Sequence, residues 1–267
     1  IDGTVRALEE LKRAGVTHVE VSPETLAALA EPVPLARSGA AGAAPSQTVS
    51  CVRESAISET GGRRSGGAAA ATTGFDDAAW RDLRAAALAC RKCHELAAAR
   101  HQVVFGAGNQ RAELLFIGEA PGRDEDLAGE PFVGRAGELL TKIIQAMGFQ
   151  RHEVYIANVL KCRPPENRVP EPDEVANCRP FLEKQIELIQ PQVIVALGAT
   201  ALRALLDVQI GITKMRGNWY TYRGIPIMPT FHPAYLLRNP AAKRDVWQDM
   251  QAVVKKLGRE VPKNTTR

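Results

Sequence analysis

Four short apolar runs, separated by helical patterns, restrict the fold of this chain more than any other feature. Continuous apolar runs of this length are typical of strands buried on both faces of a parallel sheet. The runs are ELLFIG at 113–118, VYIANVL at 154–160, QVIVALG at 192–198 and IPIMPTF at 225–231. The helical patterns occupy 136–148, 172–189, 199–207 and 242–257. This alternation predicts an α/β domain with three layers, α/β/α, around a four-stranded, mainly parallel sheet.

The composition divides the chain into four parts. Residues 1–31 predict a small helical segment, and residues 32–74 are so rich in Ala, Gly and Ser that we expect a disordered linker. The globular domain is expected over 75–258, beginning with a helix capped by Asp76 or Asp77, and a tail follows at 259–267.

The charge of the chain is compatible with nucleic acid as a partner but does not demand it. The formal net charge is +4, and residues 1–75 carry seven Lys and Arg against eight Asp and Glu, so the remainder is mildly basic. No apolar run is long enough to span a membrane, and no signal peptide is apparent. We therefore expect a cytoplasmic protein without a membrane partner.

Polar or glycine residues stand at the carboxyl end of each of the four predicted strands. They are Gly118-Glu119-Ala120, Asn158, Gly198 and Phe231-His232. Ligands of open parallel sheets bind outside the carboxyl ends of the strands. The sequence therefore predicts one site assembled from four distant stretches.

The run GEAPGRDEDLAGEPFVGRAGELL, at 118–140, follows the first strand and holds five glycines, six acidic residues and only two basic ones. Glycines after a strand often surround phosphate, but such loops normally supply a cation or a helix N-terminus. The excess of carboxylates therefore favours a neutral ligand.

Four of the five cysteines form a set with the number of thiols that a tetrathiolate site needs. Cys90 and Cys93 form a C-x2-C pair, whereas Cys162 and Cys178 stand singly, and Cys51 lies in the expected linker. One pair with two spaced singles is compatible with a [4Fe–4S] cluster, with zinc or with free buried thiols. The surrounding surface is expected to be basic through Arg91, Lys92, Lys161, Arg163 and Arg179.

Three long motifs together resemble the family 4 uracil-DNA glycosylases, the iron–sulfur branch of the uracil-DNA glycosylase superfamily. The motifs are the run at 118–140, NVLKCRPPENRVPEPDEVANC at 158–178 and FHPAYLLRNP at 231–240, and the resemblance covers about 76–258. It implies a DNA repair enzyme that flips uracil out of DNA and hydrolyses its N-glycosidic bond, leaving an abasic site. It also implies a [4Fe–4S] cluster bound by Cys90, Cys93, Cys162 and Cys178.

The same resemblance implies roles for the residues at the strand ends. Uracil would bind the backbone from Gly118 to Ala120, stack on Phe132 and pair with the amide of Asn158. His232 would stabilise the negative charge that grows on uracil O2. Ala120 stands where the better-known family 1 enzymes have an aspartate, so the water-activating acid would be Glu119 or Glu125, unless no strong base is needed. Glu119 would alternatively exclude the methyl group of thymine.

The resemblance further implies a monomer that acts on single- or double-stranded DNA containing uracil, near the nucleoid. Leu236, Leu237 and Arg238 would enter the space that the flipped base leaves, with Arg238 or Lys243 on phosphates. Arg163 and Arg168 would also contact the DNA backbone. A superfamily branch that bonds covalently to DNA uses a basic loop ending in histidine, which the stretch after Cys162 lacks. A non-enzymatic iron–sulfur DNA-binding module remains the alternative function.

Overall fold

A computed structural model of the chain describes residues 76–206 and 210–262. The helical segment expected at 1–31, the linker expected at 32–74 and the end of the expected tail lie outside these ranges. In these ranges, seven strands and helices precede residue 160: α1 (Asp77–Ala89), α2 (His94–Ala99), β1 (Ala107–Gly108), β2 (Leu114–Gly118), α3 (Arg123–Ala128), α4 (Arg135–Ala146) and β3 (Tyr155–Asn158). A 3-10 turn, Pro165–Asn167, follows them. The remainder comprises α5 (Pro172–Ile189), β4 (Val193–Leu197), α6 (Ala199–Leu206), α7 (Ile212–Met215), β5 (Tyr220–Tyr222), β6 (Ile225–Thr230), α8 (Pro233–Arg238), a 3-10 turn at Pro240–Ala242 and α9 (Lys243–Lys256).

The four predicted strands are present and pair in parallel in the order β3-β2-β4-β6. The expected strand number was wrong, however, because the sheet has six strands. β1 pairs antiparallel with β3 at one edge, and β5 pairs antiparallel with β6 at the other. β1 has two residues and β5 has three, so neither produces an apolar run in the sequence.

Alternate residues of each central strand face opposite layers, which makes the domain three-layered as predicted. On one face Leu115 and Ile194 pack with Trp80 of α1 and Leu182 of α5. On the other face Phe116, with its neighbours from β3 and β4, packs against α4, α8 and α9. Successive side chains of a strand point to opposite faces, and both faces are covered, so β2 and β4 are buried throughout.

Strong local signals set the helix boundaries that position the site. Asp76 caps α1 by accepting a hydrogen bond from the backbone N–H of Ala79 at 2.9 Å. At the start of α5, Glu171 and Glu174 form a capping box and Pro172 occupies the first turn.

None of the helices in the described ranges combines the length and the apolar character that crossing a membrane would require.

The strand order creates a crevice at the carboxyl edge of the sheet. From β2 the chain crosses to β3 on one side, and the later strands β4 and β6 lie on the other side. The segments that leave β2 and β4 therefore run in opposite directions along the sheet. The place where the strand order reverses in this way is called the switch point, and open α/β sheets bind their ligands there.

Candidate active site

A cavity of about 520 Å³ opens at this switch point. The structure brings together in its wall eight of the residues predicted from the sequence: Glu119, Ala120, Glu125, Phe132, Asn158, Arg168, His232 and Arg238. Gly198, at the end of β4, contributes to the same wall. The four strand ends thus form one site, as their common edge predicts.

Asn158 ends β3 and is only 2% exposed. No donor in the described part of the chain reaches its side-chain oxygen Oδ1, although this atom is buried. A buried polar atom without a partner is costly, so an acceptor of this kind in a cavity wall marks a place where a ligand donor would bind.

Gly118 allows Asn158 and Phe132 to approach each other closely at the end of β2. A Cβ atom on Gly118 would overlap Oδ1 of Asn158 and would lie 2.7 Å from the Phe132 ring. Phe132 is itself held in a strained backbone conformation, with φ of 55°, and only 5% of it is exposed. A Cβ on Gly137 would overlap the Phe132 carbonyl, so α4 also needs a glycine to support this geometry.

His232 follows β6 and serves as the N-cap of α8. Its ring nitrogen Nδ1 accepts a hydrogen bond from the backbone N–H of Ala234 at 3.1 Å, so the ring proton belongs on Nε2. Burial, assisted by the positive charge of Arg238, lowers the pKa of His232 from 6.5 to about 4. The imidazole is therefore neutral near pH 7, and its centroid lies 5.4 Å from that of the Phe132 ring.

The two candidate acids differ in how they are held. Oε2 of Glu119 accepts a hydrogen bond of 2.5 Å from the hydroxyl of Thr200, in the first turn of α6. Oε1 of Glu125 has a longer contact, 3.4 Å, with the backbone N–H of Gly134. Glu119 is thus tied to the wall, whereas the Glu125 carboxylate is more loosely placed.

Asp126 belongs to the same acidic segment but serves the scaffold. It is fully buried, and its carboxylate accepts the backbone N–H of His101 at 3.0 Å and contacts Nδ1 of the same residue at 2.7 Å. This contact fastens α3 to the segment after α2, so Asp126 supports the cavity wall from behind.

The residues predicted to contact DNA differ in their burial and in their contacts. Leu236 is fully buried in the core, so its predicted role as a wedge is wrong: a side chain committed to packing is not free to enter a base stack. Leu237 is 39% exposed. Arg238 lines the cavity, and Nε of Arg163 donates to Oδ1 of Asn167 on the neighbouring loop at 2.8 Å.

Arg168, also expected at phosphates, lines the cavity, and its guanidinium contacts carboxylates. Its guanidinium donates to Glu174 at 2.6 Å and to Glu95 at 3.1 Å. It therefore ties the loop after Cys162 to the start of α5 and to α2.

The four predicted cysteine ligands form no disulfide. Cys162 and Cys178 are buried in a small apolar cluster, and Cys93 and Ala120 pack against it. Arg100 donates to Sγ of Cys162 at 2.8 Å and to the carbonyl of Cys90 at 2.8 Å. In residues 76–206 and 210–262, no three His, Cys, Asp or Glu side chains form a group that could hold a metal ion.

Sequence reasoning missed three residues around the cavity and misjudged another. Thr200 lies outside the three motifs, and Tyr235 and Asn167 lie inside motifs but received no role from the sequence. Lys161 was expected on a basic surface, but it is 1% exposed, because its side chain turns inward under β3. Only contacts between distant segments reveal these placements.

Comparison with known proteins agrees with the motifs. A family model described as the uracil DNA glycosylase superfamily matches residues 105–251. A type-4 uracil-DNA glycosylase of Thermotoga maritima is 51% identical over 166 residues, which cover 60% of this chain and 86% of the relative. The type-4 enzyme of Archaeoglobus fulgidus is 42% identical over 183 residues, covering 66% of this chain and 92% of the relative. The chain therefore belongs to the uracil DNA glycosylase superfamily.

Proposed function

We propose that this protein is a uracil-DNA glycosylase of base-excision repair that takes a flipped uracil into the cavity and hydrolyses its N-glycosidic bond. The observation that carries the proposal is the unpaired, buried Oδ1 of Asn158 in the wall of a cavity that also contains a neutral His232. Family membership and the named type-4 relatives support the same activity.

Asn158 would select uracil by its hydrogen-bonding edge. Its free Oδ1 suits the N3–H of uracil, and its amide NH₂ group suits O4. Cytosine presents the reverse pattern at these two positions. A buried polar group left without a partner costs about 1–3 kcal/mol, so this residue alone would supply much of the discrimination.

The ring of Phe132 would stack against one face of the base, and the backbone near Glu119 and Ala120 would bind its oxygens. Gly118 lets the Phe132 ring and Oδ1 of Asn158 pack closely against the end of β2, which places both groups in the cavity wall. This arrangement accounts for a glycine-rich loop that lacks a phosphate-binding cation.

His232 would stabilise the leaving uracil. Negative charge grows on O2 as the glycosidic bond breaks, and a fixed donor at that position lowers the barrier. With Nδ1 occupied by the N–H of Ala234, Nε2–H is the ring donor that remains. Because the imidazole starts neutral, it would act as a hydrogen-bond donor and need not transfer a proton.

Glu125 is our candidate for orienting the attacking water. It lines the cavity and is held only by a long contact, so its carboxylate keeps acceptor capacity for a water molecule. Glu119, held by Thr200, would instead stand near C5 of the base and exclude the methyl group of thymine. A strong base is not required if the departing sugar is already cation-like.

The four cysteines fit a [4Fe–4S] cluster better than a single zinc ion. Ligands of one metal ion converge on one atom, and no such group exists in the described ranges. In a cluster each thiolate binds a different iron, so Cys90, Cys93, Cys162 and Cys178 would not have to converge on a single atom. The cluster, when bound, would supply structure by joining the start of the domain to β3 and α5.

DNA would be held at the mouth of the cavity. Leu237 is exposed and would fill the space that the extruded nucleotide leaves, with Arg238 and Arg163 near phosphates. We expect a monomer that accepts single- or double-stranded DNA and works in the cytoplasm near the nucleoid.

An excision assay in EDTA tests the activity. The purified protein should convert a uracil-containing oligonucleotide to an alkali-labile abasic product. Asn158→Ala should slow the reaction about 10- to 100-fold, as expected when an interaction of about 1–3 kcal/mol is lost. Asn218 is an exposed asparagine outside the cavity, so Asn218→Ala should leave the rate unchanged. If no product forms from single-stranded or U:G duplex DNA, the alternative of a non-enzymatic DNA-binding module is favoured.

Metal analysis tests the cluster separately. The protein isolated without oxygen should contain iron and sulfide and absorb broadly near about 400 nm. Cys178→Ser should reduce that absorption. Stoichiometric zinc in its place would overturn the assignment.

A further inference from the structure

Lys161 is a buried lysine directly behind the residue that would read the base. It is 1% exposed, and its Nζ donates to the backbone carbonyl of Asn158 at 2.9 Å and to Oε1 of Gln185 at 2.6 Å. Lysines are rarely buried to this extent unless their nitrogen has partners, so the contact with Asn158 needs a physical explanation.

The edge of the sheet supplies that explanation. β1 pairs with Tyr155 and Ile156 of β3 and then ends, so its pairing does not extend to Asn158. On the other side, β2 remains paired with β3 as far as Asn158. The Asn158 carbonyl therefore lies beyond the last β1 pair, and Nζ of Lys161 is the donor that it receives there.

Lys161 is in turn held by a buried amide. Gln185, in α5, is fully buried, and its Nε2 donates to the carbonyl of Phe105 at 2.9 Å and to the hydroxyl of Tyr155 at 3.2 Å. The Lys161 carbonyl also accepts the N–H of Val104 at 2.8 Å. The side-chain nitrogen thus has a defined position relative to β3.

The side chain of Asn158 tolerates little displacement. Its Oδ1 fits against Gly118 with no room for a Cβ atom. A shift of the 158 peptide would move the amide that faces the base, and misplacement of a recognition group by about 1 Å can reduce a rate about 100-fold.

We propose that Lys161, held by Gln185, is a positioning residue that fixes the Asn158 peptide and thereby aims the Asn158 amide at the base. This inference rests on the proposed uracil excision and extends it to a residue outside the cavity wall. Lys161 acts through Asn158 and does not touch the base.

A double-mutant cycle tests the inference. Lys161→Met keeps the length of the side chain but removes the donor, and it should lower single-turnover uracil excision about 10- to 100-fold. In an Asn158→Ala background the same substitution should change the residual rate little, because no amide remains to be aimed. Lys184→Met, the same change at a partly exposed position of α5 where Nζ bonds to Glu187, is the matched control.

The outcomes separate positioning from general stabilisation. If Lys161 has a purely structural role, Lys161→Met should slow excision by the same factor in the parent and in the Asn158→Ala background, and that result would overturn the inference. A Lys161→Met protein that is as fast as the parent would overturn it too. If Lys161→Met does not fold, Gln185→Leu enters the same cycle under the same criteria. An inactive parent would refute the proposed function itself, whereas failure of the inference is seen only with an active parent.

Discussion

Asn158 and His232 present complementary hydrogen-bonding groups to the same cavity. The Oδ1 of Asn158 is an acceptor without a protein donor in the described ranges, while Nδ1 of His232 is occupied and leaves Nε2–H as a donor. Uracil carries a donor, N3–H, between the acceptors O2 and O4, so an acceptor facing N3 and a donor facing O2 match its edge. Whether each side chain presents a hydrogen-bond donor or an acceptor to the cavity is therefore decided by its neighbours and not by its side-chain type alone.

The lowered pKa of His232 predicts how stability depends on pH. Between pH 6.5 and about 4 the unfolded chain binds a proton at this histidine and the folded chain does not. The folded state should therefore lose stability as the pH falls through this window, by at most about 3 kcal/mol. Urea unfolding of the parent and of His232→Asn at several pH values should show a difference in free energy that shrinks towards pH 4.

The excision rate gives an independent check of the same group. Because His232 is already neutral, its titration should produce no change in rate near pH 6.5. An inflection near pH 6.5 in the parent that disappears in His232→Asn would contradict the assignment.

Gly118 predicts a steric effect confined to the cavity. In Gly118→Ala, the added methyl group would collide with Oδ1 of Asn158 and the Phe132 ring, so uracil excision should fall about 100-fold through displacement of these groups. Gly211→Ala is the matched control, because a Cβ there meets nothing within 4 Å. Equal rates for the two variants in single-turnover assays would show that the close approach at Gly118 is not needed.

At the scale of elements, the packing of α8 decides which of two adjacent leucines is buried. Leu236 and Leu237 are consecutive leucines, yet one is fully buried and the other is 39% exposed. Neighbouring helical residues point in directions about 100° apart, so only one can face the core. The sequence motif alone cannot state which, because the packing of α8 against the sheet and α4 sets the helix phase.

The leucine pair predicts opposite consequences for stability and for DNA. Leu236→Ala should lower the free energy of unfolding by about 2–5 kcal/mol through loss of buried contacts. Leu237→Ala should leave stability nearly unchanged but slow excision from duplex DNA more than from single strands, since only a duplex needs its gap filled. Unfolding midpoints and paired excision assays measure both effects; an equal loss on both substrates would argue against Leu237 as the wedge.

The edge strands illustrate the limit of pattern reading for elements. The four central strands are evident from continuous apolar runs, because both faces of the sheet are covered. β1 is formed by Ala107 and Gly108, which carry no strand signal, and it exists because β3 offers an unpaired edge. The same is true of β5 beside β6.

At the scale of the whole molecule, the cavity is formed within one domain. Its lining residues extend from Glu119 to Arg238, inside the 105–251 segment that matches the superfamily. The four predicted cysteine ligands are also part of the described ranges.

A fragment of residues 76–262 should therefore excise uracil at the same rate as the full chain. A domain with its own core and a complete site does not need the preceding segment for chemistry. Excision rates and absorption near about 400 nm for both proteins measure this. A folded fragment with intact absorption but a markedly slower rate would instead assign residues 1–75 a role in the reaction.

Periodicity was sufficient to predict the α/β/α layers, the central parallel strands and the meeting of Asn158 and His232 in one wall, whereas Phe132 was placed there only by the family resemblance. These follow from local patterns, since buried strands end at one edge of a parallel sheet. The tertiary structure alone decided that Thr200 holds Glu119, that Leu236 is core and that Lys161 is buried beneath Asn158. Thr200 lies 81 residues from Glu119, and the Lys161 side chain is held inside the protein by Gln185, 24 residues along the chain. A pattern along one segment carries no information about which distant segment packs against it.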